Sequence, residues 1–244
     1  MAQPVLLVHG AFLGSWAWSD VIDALTVRGI DATAVDLPSQ GPEGSLEADA
    51  DLVREVLSGL DVPAVLVGQS YGGMVITEAS AGNDMVGHLV YVCAALPAED
   101  EHVGSMLAAD PHPTRLGEGV RMIGDGPMAT LDPQVARDVP GHDVPAAVME
   151  AKLPLMGEHN MAVFEQAATD LGWREHPSTY VLTTADTVFS PDLQRTLAAR
   201  AGRTVEIATS HFPMFSRPQE LAGLIAEPAA DRPRAGSTGW RRCR

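Results

Sequence analysis

Short apolar runs alternate along the chain with longer segments that carry apolar residues at helical spacing. The run at 5–8 is continuously apolar, which is typical of parallel strands covered on both faces. In chain order the pattern predicts strands at 5–8, 30–37, 64–67, 89–95, 179–184 and 204–208, and helices at 16–28, 46–60, 73–81, 191–201 and 219–226. This order predicts an α/β fold with a mostly parallel central sheet and helices on both faces.

The alternation stops between residues 97 and 176, where Pro, Gly, Met and acidic residues accumulate. Two segments inside this stretch, 144–152 and 161–171, have a composition and spacing compatible with helices. Because a structureless loop of this length is improbable in a compact domain, we predict a helical cap insertion at 97–176.

The rest of the chain divides into a core and a tail. We predict that 1–96 and 177–227 together form the α/β core, so that one core with one insertion accounts for most of the 244 residues. Residues 228–244 are rich in Ala, Pro, Arg and Gly and lack periodicity, and they are predicted to be disordered.

Composition narrows the choice of partners and compartment. The formal charge of −16 argues against nucleic acid and anionic membrane surfaces as partners. Two cysteines do not support a disulfide framework and fit a reducing compartment. We find neither a basic leader followed by an apolar segment nor a stretch long enough to span a bilayer, and we therefore predict a cytoplasmic protein.

The clearest chemical signal is Gly68-Gln69-Ser70-Tyr71-Gly72, which matches G-x-S-x-G. An apolar strand is predicted before it and a helix after it, as this motif requires. The turn is so tight that side chains at the two glycine positions would collide with neighbouring elements. We predict that Ser70 is a nucleophile lifted above the sheet edge at the N-terminus of a helix.

A serine hydroxyl needs an adjacent base and a residue that orients the base. His211 directly follows the last predicted strand, and Asp186 follows the strand before it. The chain order Ser70, Asp186, His211 is the order that this type of site uses. Three other acids are weighed as the third member: Asp192, which falls on a predicted helix, and Glu99 and Asp100, which follow another strand.

Acyl transfer also needs donors for the oxyanion that forms in the transition state. We predict the backbone N–H of Tyr71, next to the nucleophile, and that of Ala11, in the glycine-containing loop after the first strand. His9 in the same loop is predicted to brace the backbone.

Apolar residues in this loop, in the cap and beside the histidine predict a pocket for a small apolar molecule, although the cap residues could equally form ordinary cap core. The predicted pocket residues are Phe12, Leu13, Met156, Phe164, Trp173 and Phe212. Zinc-ligand, Walker-A and dinucleotide-binding motifs are missing from the sequence, so neither a metal nor a cofactor is predicted.

Together these segments resemble a known family. The segments 8–18, 36–38, 68–73, 183–186 and 210–218 are similar to the plant methyl esterase and hydroxynitrile lyase branch of the α/β-hydrolases, over about residues 4–226. The resemblance implies the α/β-hydrolase fold, a cofactor-free enzyme with the triad named above, a cap over the pocket, and Ala11 N–H as an oxyanion donor.

Three departures bear on the subtype. The lyases carry a lysine where this chain has Phe212 and a threonine where it has Ala11, and both differences argue against cyanohydrin cleavage. The methyl esterases often carry a histidine where this chain has Leu13, which leaves the esterase subtype open.

The sequence therefore predicts a carboxylic ester hydrolase that acts on a small, apolar ester through an acyl-enzyme. The alternative is a lyase or cyclase in which His211 acts as a base on the same scaffold, because a fold does not fix a reaction. A binding protein that retains the fold is a third hypothesis. The oligomeric state stays open, a homodimer being one alternative.

Overall fold

The computed structural model describes residues 2–230 of the chain. Within that range the strands are β1 (Val5–Val8), β2 (Ala32–Val35), β3 (Ala64–Gln69), β4 (Val86–Val92), β5 (Val120–Met122), β6 (Met128–Leu131), β7 (His159–Asn160), β8 (Ser178–Thr183) and β9 (Arg203–Ile207). The helices are α1 (Ser19–Thr26), α2 (Leu46–Ser58), α3 (Gly72–Ser80), α4 (Val103–Ala108), α5 (Pro133–Asp138), α6 (Ala146–Lys152), α7 (Pro191–Ala198), α8 (Pro213–Ser216) and α9 (Pro218–Ala230).

The central sheet has six strands in the order β2-β1-β3-β4-β8-β9, and every neighbouring pair is parallel. All six strands predicted from the apolar runs are present, which confirms the α/β class. The chain passes from β1 to β2 on one side and returns to β3 on the other. Ligands of open α/β sheets bind at such a switch point, outside the carboxyl ends of the strands.

Apolar side chains on both faces of the sheet explain why β1 is continuously apolar. Along β1, Val5 and Leu7 belong to the cluster packed against α1 and α9, whereas Leu6 and Val8 belong to the cluster packed against α2 and α3. Side chains alternate along a strand, so covering both faces requires an apolar residue at every position.

Helix α2 shows how the local sequence determines where a helix begins and which face it buries. The side chain of Ser45 accepts a hydrogen bond from Ala48 N–H at 3.1 Å and caps the first turn. Ala50, Val53 and Leu57 are buried on one face, as helical spacing requires. This face packs α2 beside α3, the helix that follows Ser70.

The segment 97–176 contains helices α4, α5 and α6 and, in addition, a three-stranded antiparallel sheet in the order β5-β6-β7, which the sequence pattern did not predict. Helix α6 lies within the predicted 144–152. The predicted helix at 161–171 is instead a short 3₁₀ helix at Met161–Glu165 followed by irregular chain.

Tertiary hydrogen bonds explain why the second helix does not continue. Gln166 Oε1 accepts from Leu46 N–H at 2.7 Å, and Glu78 accepts from both the N–H and the hydroxyl of Thr169 at 2.6 Å. These contacts hold the chain against α2 and α3 in a conformation that a helix could not adopt. The cap boundaries at 97–176 stay a prediction.

The end of the core differs from the expectation for 228–244. Residues 228–230 form the last turn of α9, where Ala229 is buried and its carbonyl accepts from Gln3 N–H at 2.9 Å. The remainder of the predicted tail, 231–244, lies outside the described residues. Among residues 2–230, every helix is too short or too polar to cross a membrane.

Candidate active site

Ser70 lies at the sharp turn between β3 and α3. Its φ angle is +52°, a left-handed conformation that is strained for a residue with a side chain. A Cβ atom on Gly68 would lie 2.4 Å from the carbonyl oxygen of Gly72, and one on Gly72 would lie 2.7 Å from that of Val8. The structure thus confirms that this turn requires both glycines of the motif.

Asp186 and His211 meet at the carboxyl edge of the sheet, after β8 and β9. His211 Nδ1 lies 2.7 Å from Asp186 Oδ2, and both side chains are buried. A carboxylate can only accept, so Nδ1 carries a proton, and in the neutral form of His211 the lone pair is left on Nε2. The Asp186 carboxylate accepts four further hydrogen bonds, from Thr183 Oγ1 (2.8 Å), Gln194 Nε2 (3.0 Å), Val188 N (2.7 Å) and Phe189 N (3.2 Å).

The structure does not bring the other three acids to the histidine. Asp192 is exposed and contacts His112 and Arg195, and Glu99 is exposed beside Arg174. Asp100 is exposed as well. Asp186 is therefore the acid that the fold pairs with His211.

The environment of His211 favours its charged form. Burial lowers the pKa of His211, but the Asp186 carboxylate beside Nδ1 and the neighbouring Cys93 together raise it by more, so the pKa lies above its ordinary value of 6.5. A base held in this way binds a proton strongly. Ser70 and His211 line the same cavity.

Two residues under the histidine were missed by sequence reasoning. Gln69 Nε2 donates to the backbone carbonyl of His211 at 3.1 Å, and Cys93 Sγ lies 3.5 Å from the same oxygen. Cys93 has a φ of +38° and is fully buried. Only the position of Gln69 inside the motif could have signalled this contact, because the partner lies 142 residues away.

One group of atoms in the described part of the chain has metal-ligand spacing. Cys93, Asp186 and His211 offer ligand atoms within 4.8 Å of one another. His211 Nδ1 and Asp186 already share a hydrogen bond, and burial raises the pKa of the Cys93 thiol, which keeps it protonated. We therefore attribute the short spacing of these atoms to the hydrogen-bonded Asp186–His211 pair and to the packing of Cys93 beside it.

The loop after β1 brings Ala11 and Phe12 to the cavity beside Ser70. His9 is buried beneath this loop: Nδ1 donates to Gly10 O at 2.8 Å, and Nε2 accepts from Leu37 N–H at 3.2 Å. Both ring nitrogens are thus used to brace backbone, as expected. Phe12 has a φ of +63°, so the loop adopts a left-handed turn here.

Tyr71, which follows Ser70, is anchored by a buried carboxylate. Its hydroxyl donates to Asp49 Oδ2 at 2.7 Å, and Asp49 Oδ1 accepts from Ser39 N–H at 2.8 Å. Burial raises the pKa of Asp49, and the two hydrogen bonds oppose that shift. Within residues 2–230, the N–H groups of Ala11 and Tyr71 make no hydrogen bond to the protein.

The cavity has an empty volume of about 440 Å³, part of it open to solvent, and its walls are apolar. Of the predicted pocket residues, four line it: Phe12, Met156, Phe164 and Phe212. Sequence reasoning missed seven further apolar lining residues: Val103, Leu107, Leu116, Leu131, Pro140, Val188 and Phe189.

The other two predicted pocket residues do not reach the cavity lining. Leu13 is buried in the core on the α1 side of the sheet. The indole N–H of Trp173 donates to Pro97 O at 2.8 Å, and its ring lies beneath the Arg174 guanidinium. Their positions depend on how the loop and the insertion pack, which the local sequence does not reveal.

A histidine without partners lies behind the cavity wall. His159 is buried among the rings of Phe12, Tyr71 and Phe164, and neither ring nitrogen has a hydrogen-bond partner in the described part of the chain. Burial, and to a lesser extent His9, lowers the pKa of His159 to about 3. His159 is therefore neutral at physiological pH.

The fold agrees with what known proteins show. The sequence model of the alpha/beta hydrolase family matches residues 5–224. The chain therefore belongs to this family. The central sheet and the helices around it are the α/β-hydrolase fold.

Individual relatives refine this assignment. The chain is 27% identical to the alpha/beta hydrolase nvfD of Aspergillus novofumigatus, over 95% of this chain and 98% of that protein. It is 26% identical to methylesterase 17 of Arabidopsis thaliana, over 92% of this chain and 90% of that protein. The resemblance to the methyl esterase branch is thus confirmed, and the chain is a carboxylic ester hydrolase by this kinship.

Solved structures agree on the fold. The pyrethroid hydrolase from Sphingobium faniae JZ-2 superimposes with a TM-score of 0.81 over 94% of this chain and 98% of that chain. The two sequences are 22% identical, so this similarity establishes the fold alone.

Proposed function

We propose that the protein hydrolyses a small, neutral, apolar carboxylic ester with Ser70 as nucleophile, His211 as general base and Asp186 as the residue that orients His211. One observation carries the proposal: His211, hydrogen-bonded to buried Asp186 at 2.7 Å, lines the same cavity as Ser70. A strained nucleophile, an oriented base and a shared cavity are the features that acyl transfer requires.

In the first half-reaction, Ser70 Oγ attacks the ester carbon while its proton passes to His211 Nε2. The tetrahedral intermediate then collapses, the alcohol leaves with the proton from His211, and an acyl-enzyme on Ser70 remains. In the second half-reaction His211 takes a proton from water, which attacks the acyl carbon. Collapse of this intermediate returns the proton to Ser70 Oγ and releases the carboxylic acid.

Ala11 N–H and Tyr71 N–H would bind the oxyanion in both half-reactions. They flank Ser70 from two different loops and make no other hydrogen bond within residues 2–230, which leaves them available. Each donor of this kind contributes about 3 kcal/mol of transition-state stabilisation. The contacts of Tyr71 with Asp49 and of His9 with Leu37 hold the two loops in place.

The cavity walls support a neutral substrate. Among residues 2–230, the lining holds no Asp, Glu, Lys or Arg, and its polar members are Gln69, Ser70 and His211. Burying an unpaired charge costs several kcal/mol, so an ester that carries a carboxylate or an ammonium group would bind poorly. The aromatic and aliphatic walls favour esters with an apolar acyl or alcohol part.

A panel of methyl and aryl esters tests this proposal, with neutral, anionic and cationic members of matched size. Wild type should hydrolyse the neutral apolar members, and a reactive phosphonate should label Ser70. Ser70→Ala should abolish both, whereas Ser58→Ala, at an exposed serine, should change neither. Hydrolysis in ¹⁸O-labelled water should place one solvent oxygen in the acid, and a lyase or cyclase would not. Equal ester turnover by wild type and Ser70→Ala would refute the proposal.

A further inference from the structure

One segment of the insertion bridges the two loops that carry Asp186 and His211. We name residues 139–143 the clamp segment. On the loop that carries Asp186, Thr187 Oγ1 donates to Val139 O at 3.0 Å, and Ala185 O lies 2.8 Å from His142 Nε2. These contacts join residues that are 48 and 43 positions apart in the chain.

On the histidine loop, the clamp segment holds Ser210, the residue before His211. Ser210 N–H donates to Asp143 Oδ2 at 3.0 Å. Its hydroxyl is hydrogen-bonded to Asp143 Oδ1 and also lies 2.7 Å from Pro140 O. Ser210 is fully buried, so these groups replace the water that it would otherwise bind.

We propose that Asp143 is a positioning residue for His211: by binding both the N–H and the hydroxyl of Ser210, its carboxylate fixes the histidine loop at the place where His211 faces Ser70. The proposal rests on the function proposed above and names a residue of the insertion that this function requires. Displacement of a catalytic group by about 1 Å can lower a rate about 100-fold, so loosening this loop should affect the chemical step.

The contact is geometric and does not depend on the charge of Asp143. An asparagine can reproduce it, because its amide oxygen can accept from Ser210 N–H while its amide N–H₂ donates to the serine hydroxyl. The hydroxyl proton can then go to Pro140 O, which already lies 2.7 Å away. Alanine retains neither contact: it leaves the buried Ser210 N–H unpaired, and the hydroxyl keeps only Pro140 O as an acceptor.

Three variants test this inference: Asp143→Ala, Asp143→Asn and, as a matched control, Asp138→Ala. Asp138 is an exposed acid just before the clamp segment and binds Gln134. The measurements are kcat and KM on the best neutral ester, the rate at which a phosphonate labels Ser70, and the low-field proton resonance of His211 Nδ1–H. Thermal unfolding of each variant reports on the fold.

We expect Asp143→Ala to lower kcat and the labelling rate by about 10- to 100-fold with KM changed less than about twofold. Its His211 Nδ1–H resonance should shift or broaden. Asp143→Asn should stay within about threefold of wild type, since it restores the geometry. Asp138→Ala should match wild type in every measurement.

The inference is overturned if Asp143→Ala keeps the wild-type kcat and resonance, or if Asp143→Asn is as impaired as Asp143→Ala. A wild type that neither hydrolyses esters nor reacts with phosphonate would instead refute the proposed function. The resonance of His211 would still test Asp143 in that case, because it depends only on the hydrogen bond between His211 and Asp186.

Discussion

The backbone N–H of Gly157 donates to the carbonyl oxygen of Phe12 across 3.0 Å, so the insertion holds the loop proposed for the oxyanion hole. Phe12 has the left-handed φ of +63° in this loop. A strained conformation persists only when its surroundings impose it. The insertion therefore contributes to the geometry of the site as well as covering it.

The first prediction concerns this hydrogen bond. Gly157→Pro removes the N–H donor, and the preceding Met156 already has extended backbone angles that a proline tolerates. We expect kcat for a neutral ester to fall about 10-fold, because the loop of Ala11 and Phe12 loses an anchor next to the oxyanion. Gly157→Ala is the control: a Cβ there meets open space, and the donor remains. Equal losses in the two variants would contradict the prediction.

The second prediction concerns the pH dependence of catalysis. The proposed base is active when His211 is neutral, and Asp186 raises the pKa of His211 above 6.5, so kcat/KM should rise with pH through a midpoint above 6.5. Asp186→Asn removes the charge that raises this pKa while burial still lowers it. We expect the midpoint to move to lower pH and kcat to fall on the order of 10⁴-fold, because the tautomer of His211 is no longer fixed.

The pH profile of Asp192→Asn serves as the control for that experiment. Asp192 is an exposed acid that contacts His112 and Arg195 and lies away from His211. Its profile should coincide with that of wild type. A midpoint that stays in place in Asp186→Asn would show that Asp186 does not set the pKa of His211.

The third prediction concerns the buried carboxylate behind Tyr71. Asp49→Ala leaves the Tyr71 hydroxyl and Ser39 N–H without their acceptor in a buried site. Each unpaired buried donor costs about 1–3 kcal/mol, so the free energy of unfolding should fall by about 2–6 kcal/mol. Asp51→Ala, on the exposed face of the same helix, should change it by less than about 0.5 kcal/mol. Denaturant unfolding of both variants measures the difference, and similar values for the two would refute the role of Asp49.

The fourth prediction concerns stability at low pH. His159 has a pKa of about 3 in the folded protein against 6.5 when unfolded, so between these values the unfolded chain binds the extra proton. Stability contributed by His159 is therefore present above pH 6.5 and is lost as pH falls toward 3, by up to about 1.4 kcal/mol per pH unit. His159→Phe removes this pH-dependent loss of stability, and its ring can occupy the space of the imidazole among the rings of Phe12, Tyr71 and Phe164.

Chemical denaturation between pH 4 and pH 7 checks this expectation: in His159→Phe the free energy of unfolding should depend less steeply on pH, by about one proton. The buried His9, whose pKa is also lowered, accounts for part of the remaining slope. His112→Gln, at an exposed histidine, should retain the wild-type slope. A slope in His159→Phe as steep as that of wild type would show that His159 is not the titrating group.

The sequence and the structure agree most closely where a local pattern has a single structural solution. The strand at Val5–Val8 has the predicted bounds, because an apolar run between turns can only be buried on both faces. The turn at Ser70 follows from its glycines, since no residue with a Cβ fits at Gly68. The sequence favours Asp186 among four acids because it directly follows the strand before that of His211, and its hydrogen bond to His211 adds the geometric reason.

By itself, then, the sequence determined the α/β class, the order of the strands along the chain and the glycine-dependent turn at Ser70, because periodicity and motif spacing are local properties. It also nominated the three residues proposed for the triad. Only the tertiary structure showed that 161–171 is not a continuous helix and that Leu13 and Trp173 lie outside the cavity lining. The hydrogen bond between Asp143 and Ser210 likewise became visible only in the folded chain. The physical reason is the same in each case. Hydrogen bonds and packing between residues dozens of positions apart outweigh local preference, and such partners become visible only when the folded chain brings them together.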